Sequence, residues 1–295
     1  MHSHRRALLQ IHICVVLWGF TAILGKLITL PALALVWWRL LLVSLALLCF
    51  PRVWRALRTM PPRLMAIYAG NGCVVAVHWI AFYGSVKLAN ASVAATCMAL
   101  APAVTALIEP WLTGSRFDRH NLLLGILVIP GVALVVGGIP QGMHAGFWVG
   151  VISAALAALF NALNKRFLGD RDAAAVTWLE MSAGFLLLAL ICPFAAPPGQ
   201  ALILPDVRDG ALLLVLAIFC TLIPFALALA ALRHLSAFTT QLAVNLEPVY
   251  SIAIAVAFLG EARELDAAFF TGVAIVLAAV FGHGWLQMRN FRLSQ

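Results

Sequence analysis

Two segments decide how this chain is built: "KLANASVAATCMALAPAVTALIEPWLTG" (87–114) and "RHLSAFTTQLAVNLEPVYSIAIAVAFLG" (233–260). At a shift of 146 residues, Lys87 falls on Arg233, Ala91 on Ala237, Pro102 on Pro248 and Gly114 on Gly260. A shift of 147 sets Gly125 over Gly272 in the next apolar run of each copy. Such self-similarity over half a chain marks a fold made twice from one unit. The nature of the unit depends on its surroundings, which composition supplies.

Of the 295 residues, 64% are hydrophobic and 10% charged, with a mean hydropathy of +1.02. An average soluble domain is about 45–50% apolar and about 25% charged. A soluble chain this apolar would have no polar surface to show water, so a polytopic membrane protein is predicted. The apolar runs are long and continuous rather than short and alternating, which favours helices over a barrel. About 20 apolar residues cross the hydrocarbon, and ten stretches qualify: 7–28, 33–51, 64–86, 91–112, 120–139, 145–167, 173–194, 208–231, 236–259 and 266–287. The breaks carry turn signals, among them Pro31, "MPPR" (60–63), Asn90, "GGIPQGM" (137–143) and "APPGQ" (196–200). The basic, apolar start resembles a secretory signal, but it runs on to about Ile28 without a small-residue cleavage site and is expected to stay as the first helix.

The net charge of +8 follows topology, not nucleic acid. With the N-terminus cytoplasmic, Arg5, Arg6, Arg52, Arg55, Arg58, Arg63, Arg116, Arg119, Lys165, Arg166, Arg171, Arg233, Arg289 and Arg292 fall inside, which is 14 of the 19 Lys and Arg. Lys87, Arg208 and Arg263 fall outside, and Lys26 and Arg39 lie within apolar runs. That bias predicts both termini cytoplasmic. Five helices per copy is an odd number, so the copies, 1–139 and 140–295, should insert upside down relative to each other as an inverted repeat. The six cysteines are scattered in apolar runs without a CxxC and read as small core residues.

The motifs then resemble a known family. "VVLWGFTAILGKLI" (15–28), "WWRLLLVSLALL" (37–48), Y-G-S-x-K-x-x-x-A-S from Tyr83 with A-P-A-V at 101–104, and A-x-R-x-x-S-A…E-P-V…F-L-G-E over 231–261 look like the EamA branch of the drug/metabolite transporter superfamily. The likeness covers roughly 7–287. One departure is "WLTGSR" (111–116), where the family often has the Gly-Glu seen at Gly260–Glu261; an effect on helix-end packing is expected. The resemblance implies ten helices around a central cavity, lined mainly by the first, third, fourth, sixth, eighth and ninth. It also implies movement of small metabolites, often amino acids or related compounds and often outward, and a bacterial inner membrane is the expected location. The partners expected are that small-molecule substrate and the bilayer. No nucleic acid, cofactor or metal is expected, a monomer suffices, and an oligomer is compatible.

Polar groups at membrane depth are candidate functional groups. Of the acids, Glu109, Glu180 and Glu247 fall within apolar runs. At 1.5 Å per residue Glu247 is about 16 Å into the ninth helix, as a proton-coupling carboxylate, a ligand for a substrate amine, or a helix-pairing group. Glu109 and Glu180 lie one to two turns from the cytoplasmic boundary, where side chains can snorkel. Pro102 and Pro248 occupy equivalent places and are expected as hinges, since each removes a backbone donor. His78, Trp79 and the flanking Tyr83 are cavity candidates on the third helix; an outer aromatic belt is the plainer reading. Asn161, Gln241 and Asn245 offer amides to a zwitterion or to neighbouring helices, and Trp18 offers a wall. Lys26 and Arg39 either draw an anionic group into an outer vestibule or snorkel to headgroups.

A secondary transporter working by alternating access accounts for the repeat and the midplane polar groups. The rival is an intramembrane enzyme acting on a lipid or small molecule. No HExxH, GxSxG or P-loop is present, and Ser85 lies seven residues from His78, so no catalytic residue is assigned.

Overall fold

The computed structural model describes residues 2–113, 119–167, 169, 171–195, 203–224, 227–228, 243–244 and 246–293. Among these residues the regular structure is all helical. In chain order it comprises α1 (His2–Leu27), α2 (Ala32–Leu48), α3 (Pro51–Arg58), α4 (Pro62–Leu88), α5 (Ala91–Met98), α6 (Ala101–Thr113), α7 (Arg119–Gly137), α8 (His144–Phe167) and α9 (Ala173–Ala195). Then come α10 (Val207–Ala217), continued by a π-turn at Ile218–Leu222, α11 (Glu247–Ile254), continued by a π-turn at Ala255–Leu259, and α12 (Ala267–Leu293).

Proline and short polar side chains set the starts. Pro51 and Pro62 sit in the first turns of α3 and α4, where a missing N–H costs nothing. Asn90 caps α5 by accepting from the Val93 amide, and Asp206 caps α10 by accepting from the Asp209 amide. The expected helix 91–112 is in fact two helices. Pro102 has no N–H to continue the ladder, and the chain breaks at Ala99–Leu100 and restarts at Ala101. At the repeat-related place α11 begins at Glu247 with Pro248 second.

The helices Arg5–Leu27, Pro62–Leu88, Gln141–Asn164 and Ala173–Phe194 are each long and apolar enough to cross a bilayer. Ala32–Leu48 with Pro51–Arg58 passes as a pair bent by 87°. The bend makes a helix of what reads in the sequence as a break: α3 buries Val53 and Leu57 and exposes Arg52, Arg55 and Arg58. Leu186, Leu190, Phe194, Trp148, Ile152 and Phe219 stand exposed on the outside of the bundle. Water would not tolerate that surface, whereas lipid tails match it.

The largest buried cluster joins α1, α2, α4, α9 and α10, and a second joins α5, α7, α8, α11 and α12. Two crossings bring backbones together at glycine. A Cβ at Gly72 of α4 would fall on the Glu180 carbonyl oxygen and 2.7 Å from its Cα, and one at Gly184 would lie 2.9 Å from the Gly72 carbonyl oxygen. A Cβ at Gly272 of α12 would lie 2.5 Å from the Gly131 carbonyl oxygen of α7.

Glu261 shows the packing role of the Gly-Glu pair. Its carboxylate is buried (1% exposed) and accepts from the amides of Ala91 at 3.0 Å and Ser92 at 2.8 Å, at the start of α5. Asn90 adds a bond to Glu264 at 3.0 Å. Anions at helix N-termini are favourable, and buried amides left without an acceptor cost about 1–3 kcal/mol. Glu261→Ala should therefore lower unfolding stability by about 2 kcal/mol, read as the thermal midpoint of the purified protein, with Glu261→Gln recovering part of the loss. An unchanged midpoint in Glu261→Ala would remove this contact from the account of stability.

Candidate functional site

Arg39, one residue after the Trp37–Trp38 pair on α2, is a charged group inside the bundle. Only 4% of its surface is exposed. Nη1 donates to the Tyr83 hydroxyl of α4 at 2.7 Å, and Nε and Nη2 both donate to Thr221 Oγ1, at 3.2 and 3.0 Å. The guanidinium carbon lies over the Trp79 ring, 3.8 Å from its centroid. Cation–π contact of this kind strengthens as water is removed.

Local structure explains each partner. Trp79 and Tyr83 are four residues apart on α4 and share a face. Thr221 sits in the π-turn that extends α10, and its hydroxyl donates to the Leu216 carbonyl five residues back at 3.1 Å. Such π-turns recur at functional sites because they redirect side chains. Among the described residues, the hydrogen-bond partners of the guanidinium are therefore neutral.

The candidates read from the sequence divide. Trp79, Tyr83 and Arg39 come together, so Arg39 faces the interior rather than the headgroups. His78 turns elsewhere: Nδ1 lies 2.9 Å from both the carbonyl oxygen and the hydroxyl of Ser153 on α8, and that hydroxyl donates to the His78 carbonyl oxygen at 3.1 Å. Trp18 is half-buried beside Tyr250, Val244 and Leu246. Ser251, next to Tyr250, donates to the Gly19 carbonyl oxygen at 2.9 Å and fixes α11 against α1. Glu247 opens α11, partly buried, close enough to Arg39 for their charges to interact. Asn161 and Lys26 are exposed, Pro102 is half-buried and Pro248 buried. Gln241 and Asn245 lie outside the described residues, as does the side chain of Glu109.

Glu180 corrects an expectation. Its depth along α9 suggests a carboxylate that snorkels to the boundary, yet it is 2% exposed and accepts from Asn71 Nδ2 at 2.8 Å. The close approach of α4 and α9 at Gly72 encloses it. Thr221 and Asn71 are the polar partners that sequence reasoning missed. A Thr following Cys220 in an apolar run and an Asn inside "AGNGC" were the available signals.

No curated protein sequence matches the chain. One solved crystal structure superposes with a TM-score of 0.65 over 97% of this chain and 98% of its own, at 16% identity; at that identity the likeness is one of fold. The EamA-like transporter family matches residues 5–137 and again 144–286. A multi-pass helical bundle and two matched segments, both of which contribute to the Arg39 cluster, agree with that assignment: the chain belongs to the EamA-like transporter family.

Proposed function

We propose that the chain is a secondary transporter that exports small zwitterionic or anionic metabolites, such as amino acids or related compounds, by alternating access. In this reading ten helices form two inverted five-helix units (1–139 and 140–295) around a central cavity, in a bacterial inner membrane with both termini cytoplasmic. The observation that carries it is Arg39. A guanidinium buried among apolar helices with neutral hydrogen-bond partners is a costly feature that a fold keeps for a reason. Its natural complement is an anionic group such as a carboxylate, and Glu247 nearby offers the complement to an amine. Trp79 supplies the stacking wall. Pro102 and Pro248, each at a helix restart, act as hinges.

The test is counterflow in proteoliposomes holding the full chain, screened against amino acids, nucleobases and cationic drugs. Saturable exchange without chemical change supports the reading; conversion of the solute favours the intramembrane enzyme instead. Glu247→Gln should fold normally and lose flux driven by a proton gradient by about tenfold or more, as expected for a lost proton carrier. If flux and its pH dependence persist unchanged, Glu247 is not the coupling group.

A further inference from the structure

The helix α3 (Pro51–Arg58) takes no part in the transport reading, yet its two faces are sharply divided. Over 49–63 the sequence carries Arg52, Arg55, Arg58 and Arg63 and no acid. Arg52, Arg55 and Arg58 recur at every third residue, and all three are exposed. At about 100° per residue they cover an arc of about 120° centred on Arg55. Val53 and Leu57 lie about 180° from that centre; they are buried and join the largest apolar cluster. Trp54 stands between the two faces, 45% exposed. Its Nε1 donates to the Leu48 carbonyl oxygen at the end of α2 at 2.9 Å, and its ring lies 5.8 Å from that of Trp178 on α9.

The bend then places this helix. α2 and α3 meet at 87°, so with α2 across the bilayer α3 lies close to the membrane plane. Three arginines in eight residues are costly in hydrocarbon, which puts α3 at the level of the headgroups. Leu45, Phe50 and Trp54, around the bend, are each about half exposed. A basic face, a docked apolar edge and aromatic rings at the boundary between tails and water make the form of a helix that rests on lipid. Asp172, at the start of the helix that carries Trp178, caps that helix by accepting from the Ala175 amide at 3.0 Å.

We propose that α3 binds the headgroup phosphates of anionic phospholipids through Arg52, Arg55 and Arg58, while Phe50 and Trp54 meet the upper ends of the acyl chains. A guanidinium offers paired N–H donors that match phosphate oxygens, and its stem can lie along apolar surface. Each basic group at an anionic surface adds to the attraction. The positive-inside bias concerns the side on which α3 lies; lipid binding concerns what its arginines hold there. α3 also joins α2, which carries Arg39, to α4, which carries Trp79 and Tyr83. A lipid held on α3 therefore bears on the two helices that bring those side chains together. Only that consequence rests on the transport reading; binding itself does not.

The full chain in detergent micelles tests this when titrated with phosphatidylglycerol and, separately, with phosphatidylcholine, the bound lipid being read by native mass spectrometry. Arg55→Gln combined with Arg58→Gln should weaken phosphatidylglycerol by about 25-fold, about fivefold for each arginine, and leave phosphatidylcholine unchanged. Arg5→Gln combined with Arg6→Gln removes the same charge from an exposed stretch of α1. That control should change phosphatidylglycerol by less than about twofold, because distant charges are screened. Phosphatidylglycerol with brominated acyl chains should quench the fluorescence of the unsubstituted protein more than that of Trp54→Phe, which locates the lipid at α3. The quenching comparison decides the matter if the Arg55 and Arg58 variant does not fold. Equal losses in the two double variants, no loss in either, or equal quenching with and without Trp54 overturns the proposal. Displacement of the lipid by excess inorganic phosphate also overturns it, and assigns a soluble anion instead.

Discussion

Gly72→Leu should yield no monodisperse folded protein from the membrane fraction, and Gly72→Ala should yield protein with a sharply lowered thermal midpoint. The reason is that the neighbour is backbone. A Cβ at Gly72 meets the carbonyl oxygen and Cα of Glu180, and neither can rotate aside as a side chain can. Overpacking a close crossing costs about 1–3 kcal/mol and more when backbones must part. The leucine variant is thus expected to cost about 3 kcal/mol or more, a large share of a typical margin of about 5–15 kcal/mol. Gly70 is the internal control. It lies on the same helix, is exposed, and a Cβ there meets nothing within 4 Å. Gly70→Ala should shift stability by less than about 0.5 kcal/mol. Thermal unfolding and size-exclusion profiles of the three variants check the pair; equal behaviour of Gly70→Ala and Gly72→Ala would show that α4 and α9 do not meet as described.

Arg39→Met should give the reverse pattern, with stability kept or raised and flux lost by about 100-fold. A buried charge whose hydrogen-bond partners among the described residues are neutral is costly, and apolar replacement of such groups is often neutral or stabilising by about 1–4 kcal/mol. The hydroxyl of Thr221 keeps its bond to the Leu216 carbonyl after the exchange. Arg39→Lys should retain charge but lose the forked donation to Thr221 and Tyr83, leaving flux reduced by about tenfold. Counterflow rates and thermal midpoints measured on the same preparations separate the outcomes. A lowered midpoint with unchanged flux would make Arg39 a structural pin.

Much of the helical layout is legible in the sequence because its punctuation is chemical. Pro62, Asn90 and Asp206 mark helix starts through missing donors and capping acceptors, which act locally. Pairing between helices is less legible. Arg39 near one end of an apolar run reads equally as a snorkelling or a vestibule group. Its enclosure needs α4 and the π-turn of α10 to close over it from 44 and 182 residues away. Glu180 misleads for the same reason: distance along a helix measures depth but says nothing about which neighbour covers the side chain. His78 and Trp79 are adjacent in sequence, yet a difference of about 100° around the helix sends one to Ser153 and the other to Arg39. The helix α3 was hidden among arginines, although Val53 and Leu57 at a spacing of four already gave it an apolar edge.

The two glycine crossings have a consequence for how such a protein can be divided. Gly72 and Gly184 join α4 to α9, and Gly131 and Gly272 join α7 to α12; each joins one helix before residue 137 to one after residue 144. The two stretches that look alike are thus interlocked by main chain against main chain. Cut into two genes between them, the protein would become a pair of obligate partners, each needing the other present during insertion to hide its exposed glycine grooves. The duplicated halves share one evolutionary fate: a bulky substitution in either groove must be answered on the opposite fragment, or both are lost.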